Sequence, residues 1–178
     1  YKGQIFPIHP SADEIMGHKA YKSVKDVPQE IDTAVFAIPA KFVAGALIEC
    51  GEKKIAGAVL IPSGFAETGN VALQEELVAI GRKYNIRMMG PNIYGFYYTP
   101  SNLCATFCTA YDVKGSVALS SQSGGIGMAI IGFSRSGEPL PIGPRITPQH
   151  SSGYSVRDCS TIASTKALEI VSDIRVVS

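Results

Sequence analysis

Two uninterrupted runs of small and apolar residues, at 33–38 and 56–61, each stop at a proline and are each followed by apolar residues at helical spacing. A run without polar alternation has both faces to hide, which is the condition of a strand inside a parallel sheet. Val43, Ala46, Leu47 and Cys50 mark the helical face after the first run, and Leu73, Leu77, Ile80 and Tyr84 the face after the second. Strand, turn and helix therefore repeat, and parallel strands joined by helical crossovers are what such repetition builds. The pattern predicts an α/β fold: a Rossmann-like parallel sheet with flanking helices.

The same reading extends in both directions. Residues 4–9 predict a strand in which Pro7, having no N–H for the ladder, belongs at an edge or a strand end. Residues 86–89 predict a short strand closed by Gly90-Pro91-Asn92. The stretch rich in Tyr, Thr, Pro and Asn that follows, to about Lys114, reads as a loop whose aromatics (Tyr94, Phe96, Tyr97, Tyr98) serve packing. Residues 116–119 predict another strand, after which Ile126, Ala129, Ile130 and Phe133 share a helical face, as at the opening of a second domain. Beyond Glu138, Pro139, Pro141, Pro144 and Pro148 break the pattern, and only Ala163, Ala167, Ile170 and Ile174 suggest a further short helix. The expected organisation is one domain at 1–113, the start of another at 114–137 and an unassigned tail at 138–178.

Composition narrows the class of function. With 178 residues, 46% hydrophobic and 17% charged, the chain has enough apolar material for a real core and does not read as disordered. A net charge of +1, with acids and bases interspersed, sets up no field for nucleic acid or an anionic membrane, so an anionic ligand must be held locally. No apolar run approaches the roughly 20 residues of a membrane helix and no signal peptide is readable, so the expected location is the cytoplasm. Cys50, Cys104, Cys108 and Cys159 fall in no zinc-binding pattern; reduced thiols and no metal site are expected.

Ligands of open parallel sheets bind beyond the carboxyl ends of the strands. Those ends carry His9-Pro10-Ser11, Ile38-Pro39-Ala40, Ile61-Pro62-Ser63-Gly64 and Gly90-Pro91-Asn92, turn-forming residues expected to leave backbone N–H groups accessible. Each alone reads as an ordinary turn, but four in a row suit a long nucleotide-like ligand. Ser121-Gln122-Ser123-Gly124-Gly125 places hydroxyls and glycines before a helix, where N–H donors and the helix dipole favour a phosphate; a purely structural N-cap is the competing reading. The segment is neither a P-loop nor a full G-x-G-x-x-G fingerprint, so it specifies an anion and not a nucleotide. No G-x-S-x-G elbow is present, and none of His9, His18 or His150 stands in a catalytic pattern.

Five segments together resemble a family: His9-Pro10-Ser11-Ala12-Asp13-Glu14-Ile15, Ser63-Gly64-Phe65-Ala66-Glu67, Arg87-Met88-Met89-Gly90-Pro91-Asn92, Asn102-Leu103-Cys104-Ala105-Thr106-Phe107 and Ser121-Gln122-Ser123-Gly124-Gly125. In this order they are similar to the α-type chain of succinyl-CoA synthetases and the related NDP-forming acetyl-CoA and acyl-CoA synthetases, over roughly residues 3–137. The resemblance implies a first domain that binds CoA, with Pro10-Ser11, Pro39-Ala40 and Ser63-Gly64 holding nucleotide and pantetheine and Asn92 toward the thiol. It implies that the 121–125 loop opens a flavodoxin-like second domain, where helix N-termini stabilise the phosphate of a phosphohistidine. The implied activity is an acid–thiol ligase: a small carboxylic acid, CoA and ATP give acyl-CoA, ADP and phosphate through an acyl phosphate and the phosphohistidine. ATP and Mg²⁺ would be held by a separate ATP-grasp domain or partner subunit.

The chain departs from the family pattern in three places. The family's first strand and Gly-rich turn would precede Tyr1, Ser11 stands where many relatives carry Lys, and the tail holds no match to the phosphohistidine segment at His150. Lys2, Lys19 or Lys22 would substitute for the missing ammonium. No catalytic residue is therefore assigned, and a truncated or frameshifted gene product would account for both ends. A non-catalytic CoA-binding or CoA-sensing module and a synthetase-like region of a protein acetyltransferase are the alternative functions. A dinucleotide-binding dehydrogenase shares the strand order and differs in wanting G-x-G-x-x-G after its first strand.

Overall fold

The computed structural model describes residues 1–107, 120–136 and 176–177, with side chains at all of these but 133–136 and 176–177. Its centre is the predicted repeat: β4 (Thr33–Phe36), α1 (Ala40–Glu52), β5 (Gly57–Leu60), α2 (Val71–Tyr84) and β6 (Arg87–Met89). The three strands are parallel, with Thr33 opposite Gly57 and Val59 opposite Met89. Successive right-handed crossovers that step the same way along a sheet lay their helices on one face. In agreement, α1 and α2 pack side by side, so closely that a Cβ on Gly51 would fall 2.2 Å from the Tyr84 ring. Val43, Leu47 and Cys50 of α1 and Leu77 and Ile80 of α2 form one buried cluster with Ala34, Phe36, Ala58 and Leu60 of the sheet.

The first strand, β1 (Ile5–Phe6), is shorter than the predicted run and lies at the sheet edge, where Pro7 costs no ladder bond. Beyond it, β2 (Glu14–Ile15) and β3 (His18–Lys19) form a small antiparallel hairpin. Its turn residues, Met16 and Gly17, have φ of 50° and 80°, the positive values that a tight hairpin turn requires.

The stretch read as a loop after Asn92 contains a second antiparallel hairpin, β7 (Gly95–Tyr98) and β8 (Leu103–Thr106). Phe96, Tyr97 and Tyr98 are strong strand formers, and a 3₁₀ turn at Thr99–Ser101 followed by Asn102 in the left-handed region reverses the chain. Leu103 is buried against Phe96, Tyr98, Tyr1 and Val35. Because alternate strand residues face opposite ways, Val35 lies on the far side of β4 from Ala34 and Phe36, and this hairpin covers it.

The predicted helix near 126 is present as α3 (Gly124–Ser136). A two-residue strand, β9 (Val176–Val177), was not read in the tail; it runs parallel between β1 and β4 and gives the order β1-β9-β4-β5-β6. The strand predicted at 116–119, the short tail helix and His150 lie outside the described residues. Among the described residues, no helix is long and apolar enough to cross a membrane.

Candidate functional site

All five sheet strands are parallel, so their carboxyl ends line a single edge. At the usual strand spacing of ~4.8 Å that edge is about 19 Å long from β1 to β6. His9-Pro10-Ser11, Ile38-Pro39-Ala40, Pro62-Ser63-Gly64 and Asn92 follow strands β1, β4, β5 and β6 along it.

At the β1 end, Nδ1 of His9 accepts the N–H of Ala12 at 3.0 Å and of Ser11 at 3.3 Å. This bond set requires Nδ1 to be unprotonated and leaves the ring proton on Nε2. The residue shapes the Pro10-Ser11 turn, and Ser11 is exposed.

At the end of β4, Ile38 is half-buried and packs against the core. Pro39 precedes α1, and no side chain caps that helix. First-turn N–H groups of an uncapped helix, beginning at Ala40, are suited to water or an anionic ligand.

The turn after β5 touches this helix start: Gly64, at φ 108°, lies so close that a Cβ there would meet the Ala40 methyl at 3.3 Å. The Gly64 N–H donates to Oε1 of Glu67 at 2.6 Å, and the Phe65 N–H donates to the same carboxylate at 3.3 Å. These bonds, that from Gly64 foremost, hold the Glu67 carboxyl below its ordinary range. Phe65 is completely buried and anchors the turn from beneath.

At the end of β6, Gly90 has φ 100° and lies under β5, where a Cβ would fall 2.4 Å from the Leu60 carbonyl oxygen. Asn92, at φ 57°, donates its N–H to the Pro62 carbonyl at 2.9 Å and so joins the β5 and β6 turns.

These bonds correct one sequence expectation. The turns were expected to leave their backbone N–H groups accessible, yet those of Ser11, Ala12, Gly64, Phe65 and Asn92 are engaged within the turns themselves. A tight turn must satisfy its own donors, and Glu67 and His9 are placed to accept them. The side chains of Ser11, Ser63 and Asn92 are exposed along this edge.

Between the β5 and β6 turns the edge deepens into a crevice of about 350 Å³. Ser63 and Asn92 supply its polar groups, and Ile61, Pro62 and Ile93 its apolar floor. Tyr94 and Phe107 complete the wall, their rings tilted by 31° with centroids 4.9 Å apart. Tyr94, read from the sequence as a packing aromatic, packs on Phe107 and against Gly124 while staying 43% exposed and lining the crevice. Its position two residues past Asn92, at the end of the same turn, was the available signal. Phe96 and Tyr98 do pack, against Leu103.

The 121–125 segment lies beside this wall, because a Cβ on Gly124 would fall 1.8 Å from the Tyr94 ring. Ser123 caps α3, its Oγ accepting the Ile126 N–H at 3.4 Å and its carbonyl the Gly127 N–H at 3.0 Å. Ser121 Oγ donates to the Ser123 carbonyl at 2.8 Å. The structural N-cap role is thus realised by Ser123, while Gly125 has open space around its Cβ position.

Cys50 is buried, and burial with the Glu49 charge pushes its thiol up to about 12, far from a thiolate. Among the described residues, no group of His, Cys, Asp and Glu side chains is placed to hold a metal ion.

Comparison with known proteins gives the same region a family. Residues 1–99 match the model of the CoA binding domain. The chain is 48% identical over 131 residues to the α subunit of acetate–CoA ligase [ADP-forming] II of Pyrococcus furiosus, covering 72% of this chain and 28% of that protein. It is 47% identical over 131 residues to the acetate–CoA ligase [ADP-forming] of Methanocaldococcus jannaschii, covering 74% of this chain and 19% of the relative. Among solved structures, the dinucleotide forming acetyl-coenzyme A synthetase 1 of Ca. Korarchaeum cryptofilum, in complex with phosphate and ADP, superposes with a TM-score of 0.72 at 46% identity. That match covers 75% of this chain and 29% of the synthetase. A Pyrococcus horikoshii protein gives 0.73 at 44% identity, over 78% and 32% of the two chains. The chain thus spans less than a third of the length of these relatives. On the match over residues 1–99 and the parallel sheet that carries it, this chain belongs to the CoA binding domain family.

Proposed function

We propose that this chain is the CoA-binding part of an ADP-forming acid–CoA ligase, a protein that joins a small carboxylic acid to CoA at the expense of ATP. The observation that carries the reading is the row of turns ending in the Ser63–Asn92 crevice, which, Phe107 apart, falls within the residues that match the CoA binding domain. Its length suits a nucleotide with a long arm, and the crevice at its far end combines an amide, a hydroxyl and apolar walls. Pantetheine, with two amides and a thiol tip on an aliphatic chain, asks for that mixture.

In this reading the adenine nucleotide lies toward Pro10-Ser11 and Pro39-Ala40, with the α1 N-terminus facing its phosphates. Ser63 and Gly64 flank the arm, and Asn92 orients the thiol. The 121–125 segment opens the neighbouring phosphate-handling domain, with Gly124 and Gly125 at the helix end that would face a phosphoryl group. ATP, ADP and Mg²⁺ belong to an ATP-grasp domain or subunit beyond this chain, which supplies the phosphoryl chemistry. This chain's own contribution is to hold the thiol end of CoA beside that helix.

Calorimetric titration of the chain with CoA, NAD and ADP in parallel tests the reading. CoA should bind, and NAD and ADP should bind at least roughly tenfold more weakly because each lacks the pantetheine arm. Binding of NAD in preference to CoA overturns it.

A further inference from the structure

We propose that the Tyr94 ring is the end wall of the acyl pocket and limits the acid to a short one; the inference rests on the CoA reading above. Three observations converge on this residue. It lines the crevice with Ser63 and Asn92, where the thiol end of the arm would arrive. Its ring lies against the backbone of Gly124, at the start of α3. It therefore stands between the position of the thiol and the helix end that faces a phosphoryl group. An acyl group passing from phosphate to sulfur must occupy that interval.

The ring is also held in place. The Phe107 ring lies against it with centroids 4.9 Å apart and the planes tilted by 31°, and the Gly124 backbone crowds its edge, leaving no room even for a methyl group. The Tyr94 carbonyl accepts a hydrogen bond from the Thr106 hydroxyl, which fixes the main chain beneath the ring. Held in this way, the ring is still 43% exposed and lines the crevice. A ring that cannot swing aside sets a steric limit, so the space beyond the thiol admits a short aliphatic acyl group and rejects a bulky one.

The test is titration of the full chain with CoA, acetyl-CoA and phenylacetyl-CoA, for the wild type and for Tyr94→Ala and Tyr94→Leu. The wild type should bind CoA and acetyl-CoA alike and phenylacetyl-CoA roughly tenfold or more weakly, the discrimination that a few misplaced carbons give in a fixed pocket. Both variants should bring phenylacetyl-CoA to within about threefold of CoA, the ratio being read against each variant's own affinity for CoA. Tyr94→Leu keeps an apolar contact with Gly124 and covers the case in which Tyr94→Ala does not fold. Wild-type binding of phenylacetyl-CoA as tight as that of CoA, or a ratio unmoved in the folded variant, overturns the proposal and leaves the CoA reading intact. Absence of CoA binding by the wild type overturns the CoA reading and the acyl wall together.

Discussion

At Gly90 a φ of 100° coincides with a Cβ position 2.4 Å from the Leu60 carbonyl oxygen, so any side chain there meets strain and a backbone clash at once. Gly90→Ala should lower the stability of the chain by about 1–3 kcal/mol. It should also weaken CoA binding, because it displaces the turn that carries Asn92. Urea denaturation reads the first effect and calorimetry the second; an unchanged urea midpoint would contradict the close approach. Gly90 and Asn92 were legible in the sequence as turn residues. The exposure of Tyr94 was legible only from its place two residues past Asn92, because in a loop rich in tyrosine composition does not show which ring stays free once the hairpin has claimed Phe96 and Tyr98.

Among the elements, the turn after β5 has the clearest dependence on pH. Glu67 accepts from Gly64 and Phe65, and its folded-state pKa is lowered. A lowered carboxyl pKa contributes stability that is fully present above the unfolded value of ~4.3 and is lost as pH falls through the folded one. The wild-type turn should therefore loosen on acidification below about pH 4. Glu67→Gln should start from a lower thermal midpoint at neutral pH and converge with the wild type in acid, which thermal unfolding at a series of pH values measures. Parallel midpoint curves for the two proteins would rule out this role. Strands β4 and β5 were legible because nothing polar interrupts them. The β7–β8 hairpin was not, since Pro100 and the Thr-Ser-Asn turn around it outweigh three aromatic strand formers in a local reading. The Gly64–Glu67 bond had a signal, an acid three residues after a turn N–H, as in a helix capping box.

For the whole molecule, the sheet is uneven. Four-residue β4 and β5 lie over the helices, whereas β1 and β9 pair through two residues each. Short ladders with few buried neighbours open first. Amide hydrogen exchange should thus be slowest in β4 and β5 and faster in β1 and β9, so that the Pro10-Ser11 end of the edge is its most mobile part. Equal protection across the sheet would contradict this ranking. The α/β class followed from the strand–helix repeat, but the sheet order did not, because a valine pair in a tail without periodicity does not announce that it inserts beside β4. The contact of Tyr94 with Gly124 also ties two residues thirty positions apart into one mutational unit. A methyl at 124 is intolerable only while the ring is present, so the effect of either substitution depends on the other. Enlarging the pocket at one position thereby opens the other to residues it otherwise forbids.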